Sequence, residues 1–288
     1  MKKILVPTDF STHALNAAKL AASIARKLDA RIYFIHVVDM PMADTGGIPG
    51  QSAGSIPGQG GGDIAEGIFI LKKAKKDFKE LLQQDFLKGL NIAEGIQFGG
   101  VYESTVKQAE KHGIDLIIMG THGSSGAIND FFVGSNTDKI VRLSEIPVIT
   151  VRDNIENVDF KQIVFASDFD DGVETSFRKL TTIIDYFDSQ VDLVRIITRD
   201  DFYYSAPMLD IMEKFAKETG LKKYKCHVYA AETVQTGINE YAAHNKADMI
   251  ATVTHGRRGL ARLLNGSTTN DMIKTSPLPV LTVKAAKR

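Results

Sequence analysis

Cysteine occurs once in the 288 residues, at Cys226, so no disulfide can close within the chain. A single thiol fits a reducing compartment, and a cytoplasmic location is the expectation. Net charge is also lacking, because 35 Lys+Arg are balanced by 35 Asp+Glu. Without a basic surplus, nothing favours bulk binding to nucleic acid or to a membrane surface. Long apolar runs are missing too, and no stretch approaches the ~18 residues of a membrane span. The opening MKKILVPTDF carries an apolar run broken by Pro7 and Asp9, too short for a secretion signal. Metal-ligand spacing is absent: His122, His244, His255 and Cys226 follow no zinc pattern, so no metal site is expected. What remains is the profile of a globular protein, 43% apolar and 24% charged, long enough for two domains of ordinary size.

The chain repeats itself. KKILVPTDFS (Lys2 to Ser11) aligns with KQIVFASDFD (Lys161 to Asp170), placing Asp168 159 positions after Asp9. IYFIHVVD and VDLVRIIT align at the same offset, whereas DLIIMGTHG (from Asp115) and DMIATVTHG (from Asp248) align at 133. IPVITV and LPVLTV follow near the ends of the two halves. The first half therefore carries extra residues, visible as the glycine-rich TGGIPGQSAGSIPGQGGG over 45–62. Such a composition cannot bury a core. It is either a tolerated surface insertion or a lid. Two domains are expected, over 1–153 and 159–288.

Each half alternates strands with helices. ILVPT is a short β-branched run suited to a buried parallel strand. Ser11 is placed to cap a helix with an apolar face of Leu15, Ala18, Ala21 or Ala22, Ala25 and Leu28. A stripe of Leu71, Ala74, Phe78 and Leu81 predicts a second helix, with Gly89 at its stop. Val101 to Lys111 predicts a third, stopped by Gly113, and Thr137 to Leu143 a fourth. Cys226 should begin a strand as a buried small apolar residue. The alternation implies an α/β fold, a parallel sheet with helices on both faces. PVITV and PVLTV begin with proline and read as edge strands. Pairing these fifth strands would join the halves as an internal pseudo-dimer; a homodimer of the whole chain is also open.

In such sheets ligands bind beyond the carboxyl ends of the strands, at the point where strand order reverses. Thr8-Asp9 and Gly120-Thr121 both fall at strand ends and can line one crevice. Gly120 and Gly123 would let backbone amides approach an anion. Gly134-Ser135 would open the fourth helix, whose free amides and dipole favour phosphate. Glycines also occur in such loops with no ligand. His122 and His255, each within THG, would touch phosphate or cap the local backbone.

A first-strand Asp, a Gly-x-x-Gly after the fourth strand and a Gly-Ser before the last helix occur together, and the pattern returns in the second half with one glycine changed. In this the chain resembles the universal stress protein family in a tandem two-domain form. The resemblance implies two Rossmann-like (adenine nucleotide alpha hydrolase-like) domains, each with five parallel strands, and pairing through the last strand. It also implies an ATP or AMP ligand, with or without magnesium. Carried over residue by residue, Gly120, Gly123, Gly134 and Ser135 would face the phosphates, with Asn136 and Thr137 beside them. Asp9 would lie near ribose or adenine, Pro7 and Thr8 would shape that wall, and Val38 would offer backbone groups to the adenine edge. The matching positions in the second half are Asp168, Ile197, Gly256, Gly266, Ser267 and Thr268.

Both halves depart from the family pattern. The first has ten residues between Gly123 and Gly134 where nine are usual, and the second has Val253 in place of the first glycine. One extra residue costs only about 0.1 kcal/mol of closure entropy. A valine would be an outlier if the position needs positive φ. Arg257, Arg258 and Arg262 would screen phosphate in the second half, or simply form a solvated helix face. The first half is the preferred site. The expectation is a stress-response protein that binds an adenine nucleotide and signals through a protein partner. The alternatives are a degenerate scaffold without ligand, and a weak ATPase.

Overall fold

A computed structural model describes residues 1–38, 61–121, 134–155, 158–170, 172–199, 208–254, 272–273 and 275–285, excepting the side chains of 61–66. The first half runs β1 (Lys3–Pro7), α1 (Thr12–Leu28), β2 (Arg31–Val38), α2 (Gly61–Leu82), β3 (Ile92–Phe98), α3 (Val101–His112), β4 (Leu116–Gly120), α4 (Ser135–Leu143) and β5 (Val148–Val151). The second runs β6 (Gln162–Ala166), α5 (Val173–Phe177), α6 (Thr181–Phe187), β7 (Gln190–Ile197), α7 (Met208–Thr219), β8 (Tyr224–Ala230), α8 (Val234–His244), β9 (Met249–Thr254) and β10 (Val280–Lys284).

All ten strands form one sheet in the order β3-β2-β1-β4-β5-β10-β9-β6-β7-β8. Within each half the pairing is parallel, as buried β-branched strands linked by helices require. The halves meet at β5 and β10, which pair antiparallel with Ile149 opposite Leu281. Thr150 Oγ1 donates to the Val280 carbonyl at 3.4 Å and Thr282 Oγ1 to the Val148 carbonyl at 3.2 Å, a two-fold-related pair across the seam. The expected fifth-strand pairing is present. Each proline-led strand is the edge of its own half and is covered by the other.

The sheet is buried on both faces. Ile4, Phe34, Leu116 and Phe165 pack with α1, α2, α5 and α7 on one side, and Leu5, Ile117, Val164 and Ile250 with α3, α4 and α8 on the other. Repeated polar contacts hold the strand starts. Asp115 accepts from the Lys2 and Lys3 amides at 2.7 and 3.0 Å, and its counterpart Asp248 accepts from Gln162 at 2.8 Å.

Several sequence expectations need correction. Gly61 and Gly62 belong to α2 rather than to the glycine-rich insert, whose residues 45–60 lie outside the described part. They sit in the first turn, where amides have no intrahelical acceptor in any case. The α2 stripe ends at Leu82, and a 3-10 turn over Asp85–Leu87 precedes Gly89. Helix α1 buries a wider face than expected, including Leu20 and Ile24, while Leu15 is only half-buried. Helix α4 opens at Gly134-Ser135 as expected, with Ser135 two residues ahead of the Thr137–Leu143 core of its pattern. Cys226 is the third residue of β8 and half-buried. The first helix of the second half is broken into α5 and α6. The break falls at Arg178–Leu180, where the Lys179 and Leu180 amides donate to Ser176 O and Phe177 O in tighter i→i−3 turns.

Candidate functional site

The order 3-2-1-4-5 in each half reverses between the first and fourth strands, so the crevice lies beyond β1 and β4 in the first half and beyond β6 and β9 in the second. At the end of β1, Pro7 hands over to Thr8, which is buried and held three ways. Its amide donates to Ile35 O at 2.8 Å, its hydroxyl accepts from the Phe10 amide at 3.1 Å, and its carbonyl accepts from His36 Nδ1 at 2.8 Å. A carbonyl only accepts, so His36 carries its proton on Nδ1. Asp9 turns the chain into α1: its Oδ1 accepts from the Ser11 amide at 3.1 Å, and Ser11 Oγ accepts from the Ala14 amide at 3.3 Å.

Between Asp9 and Ser11 the backbone of Phe10 is left-handed, with φ of 63°. A side chain there costs roughly 1–2 kcal/mol. Packing offsets it: the Phe10 ring lies edge-on to Phe78 at 5.0 Å and against His36 at 4.9 Å. The second half repeats the device. Phe169 has φ of 58°, the Ser167 hydroxyl accepts from the Phe169 amide at 3.0 Å, and Asp168 Oδ1 accepts from the Asp170 amide at 3.4 Å. Asp168 is buried, whereas Asp9 is half-buried, so the first-half carboxylate is the more accessible.

Gly120 ends β4. A Cβ there would lie 2.7 Å from the carbonyl carbon of His13, so the missing side chain lets the first turn of α1 rest on the strand end. Neither Gly120 nor Val253 has positive φ, so the feared strain at valine does not arise. The position 159 after His13 is Gly172, so the second half has neither the histidine nor the strand-end glycine of the first. Val253 is buried in the core.

Beyond β4, Thr121 donates its amide to Val151 O at 3.2 Å and accepts from the Gly134 amide at 3.0 Å. This bond sets the leading end of α4 over the strand. Thr137 Oγ1 donates to Gly120 O at 3.1 Å, a second tie between helix and strand. Ser135 and Asn136 are exposed, and their amides, with that of Thr137, are first-turn donors without intrahelical acceptors. Of the expected site, Pro7, Thr8, Asp9 and Gly120 lie at the ends of β1 and β4, and Gly134, Ser135, Asn136 and Thr137 at the leading end of α4, which is tied to β4 through Thr121 and Gly120. Val38 ends β2 buried, with its carbonyl accepting from the Gly99 amide at 3.0 Å. Ile197 ends β7 in the same way, its carbonyl accepting from Ala231 at 3.0 Å. His122, Gly123, Gly256, Arg257, Gly266, Ser267 and Thr268 lie outside the described residues.

Sequence reasoning missed His36, Phe10 and Asn16. The only signal for His36 is a polar residue inside the apolar run IYFIHVV. Asn16, buried in α1, donates to Arg152 O at 2.9 Å and ties α1 to the chain beyond β5, a contact with no local signature. Among the described residues no helix is long and apolar enough to cross a membrane, and no group of histidine, cysteine and acidic residues is arranged to hold a metal.

Residues 1–152 and 159–284 each match the model of the universal stress protein family. A universal stress protein of Synechocystis is 23% identical over 296 residues, covering 99% of this chain and 100% of its own length. One from Methanocaldococcus jannaschii is 33% identical over 154 residues, 52% of this chain and 82% of that protein. The crystal structure of a universal stress protein from Archaeoglobus fulgidus superposes with a TM-score of 0.72 at 18% identity, over 99% of this chain and 98% of that one, a likeness of fold. The chain belongs to the universal stress protein family and carries its domain twice.

Proposed function

We infer that the first-half crevice binds an adenine nucleotide, ATP or AMP, and that the loaded protein signals through a protein partner. The observation that carries this reading is the leading end of α4. Its first-turn amides have no intrahelical acceptors and stand beside the β1/β4 reversal, with Gly134 anchored by Thr121 and Thr137 by Gly120. Oriented amides at a helix start meet phosphate oxygens without reorganising, and each charge-assisted hydrogen bond is worth roughly 1.5–3 kcal/mol. The adjoining wall is equally fixed, because Thr8, Asp9 and His36 are locked by the bonds of the β1 turn.

Asp9 serves that turn. As its Oδ1 is engaged by the Ser11 amide, it is suited to orienting a hydroxyl group, and a role as general base is not part of the reading. A second reading also has an observation behind it. The clash that a Cβ at Gly120 would make with His13 gives that glycine a purpose within the fold, as a ligand-free scaffold would need.

Calorimetry of the full chain with ATP and with AMP, with and without magnesium, separates the two. Binding is expected, weakened tenfold or more by Gly123→Val and little affected by Gly256→Val. Absence of any heat from correctly folded protein favours the scaffold. Should binding occur but vanish only in Gly256→Val, the second half is the site. Turnover by Asp9→Ala equal to that of the unaltered chain removes Asp9 from any hydrolysis.

A further inference from the structure

On the flank of the first half, away from the nucleotide crevice, β2, β3 and α3 enclose an open groove of about 300 Å³. Its floor is Gly95, which the fold does not require. Gly95 has no positive φ, and a Cβ there would meet only Gln97 Nε2, at 3.7 Å, an ordinary contact. A glycine inside a strand weakens it, and one without a backbone reason often marks the close approach of something else. The second half carries ring side chains at the matching positions. Gly95 pairs with Ile35 as His227 pairs with Val194, and Ile35 and Val194 are equivalent, so His227 stands where Gly95 does. Around it Tyr229 and Tyr241 replace Gln97 and Gln108, and Asp192 replaces Tyr33. The three rings pack together, with centroids 5.4 Å apart for His227–Tyr241 and 5.7 Å for Tyr229–Tyr241, and the Tyr241 hydroxyl donates to the smaller Asp192 at 3.0 Å.

The groove mixes apolar lining from Tyr33, Phe34 and Ile35 with polar groups, and its charge is biased positive. Arg31, Lys111 and His112 line it, against one carboxylate, Glu94. The Arg31 guanidinium lies 5.1 Å from the Tyr33 ring centroid, and His112 stacks on Tyr33 at 4.8 Å, so two of the basic groups are held in place. At the floor, buried Gln108 donates to Gln97 at 3.0 Å, a pair of amides able to hydrogen-bond a polar ligand. We propose that this groove is a second ligand site that takes a small polar molecule bearing an oxyanion, with the anion on Arg31 and Lys111 and the polar body on Gln97 and Gln108. A guanidinium fork accepts carboxylate and phosphate alike.

The test is amide-resolved NMR of the full chain without nucleotide, titrated separately with succinate, glutamate, inorganic phosphate and glycerol phosphate. Saturable shifts confined to β2, β3 and α3 are expected from at least one of them, and which responds tells carboxylate from phosphate. Gly95→Ala should bind like the unaltered chain, whereas Gly95→His, which installs the second half's filler, should lose binding at least tenfold. Should Gly95→His fail to fold, Arg31→Gln with Lys111→Gln carries the same expectation. No saturable shift with any probe, or shifts undiminished in these variants, overturns the proposal. A response at the α4 end instead belongs to the crevice and overturns it as well.

Discussion

At Gly120 the absence of one methyl group decides how closely α1 approaches β4. Gly120→Ala would press a Cβ against the His13 backbone, and we expect a loss of about 1–3 kcal/mol, read as a lower urea midpoint at unchanged m-value. Gly95→Ala, facing open space, should move the midpoint little. Tyr241 makes the opposite case. Burial first, and then the Asp192 charge, push its phenol pKa up, so the hydroxyl remains a donor to that carboxylate. Asp192 is 3% exposed and its Oδ1 has no hydrogen-bond partner, so Tyr241→Phe should cost roughly 1–3 kcal/mol in the same measurement. Cys226 is raised to about 11 by burial and by nearby Glu213. At pH 8 its thiolate fraction is then on the order of one in a thousand, and alkylation by iodoacetamide should be far slower than that of glutathione. None of these side-chain environments is readable from spacing, since each depends on a neighbour distant in the chain.

Elements were far more legible than their ends. Ser11 was readable as the cap of α1, because a hydroxyl stands just before an apolar periodicity, and its Oγ accepts the Ala14 amide. Ser11→Ala should cost about 1 kcal/mol by thermal or urea unfolding. Gly113 was readable as the stop of α3 and is left-handed with φ of 59°. The start of α4 was readable from Gly134-Ser135 but not from the apolar stripe, which begins only at Thr137 because Ser135 and Asn136 are exposed. The break between α5 and α6 was invisible to the repeat alignment. Alignment carries a helix across by analogy, whereas the break at Arg178–Leu180 has no counterpart in α1.

Across the whole molecule the halves are joined by an apolar seam with a polar margin. Leu281 is fully buried opposite Ile149, and Leu281→Ala should cost about 2–5 kcal/mol and, in calorimetric scans, broaden or split a shared unfolding transition. At the margin, Glu145 of the first half meets Lys284 of the second at 2.7 Å, with Lys179 at 3.6 Å. The Lys284 hydrogen bond, against some desolvation, holds the Glu145 carboxyl below its ordinary 4.5. Its contribution is therefore present above that value and lost as pH falls through the lower folded value. Glu145 is well exposed and solvent screens it, so Glu145→Gln should cost no more than about 1 kcal/mol near neutrality, with the difference fading in acid. The sequence by itself determined the repeat, the alternation of strands and helices, and the family pattern of Asp, glycines and Gly-Ser, because these are periodic or local. Tertiary structure alone decided that Gly120 serves His13, that His36 locks the β1 turn, and that one flank holds a groove where its copy packs three rings. Those outcomes depend on which residues far apart in the chain are brought within a few ångströms, a distance that no spacing encodes.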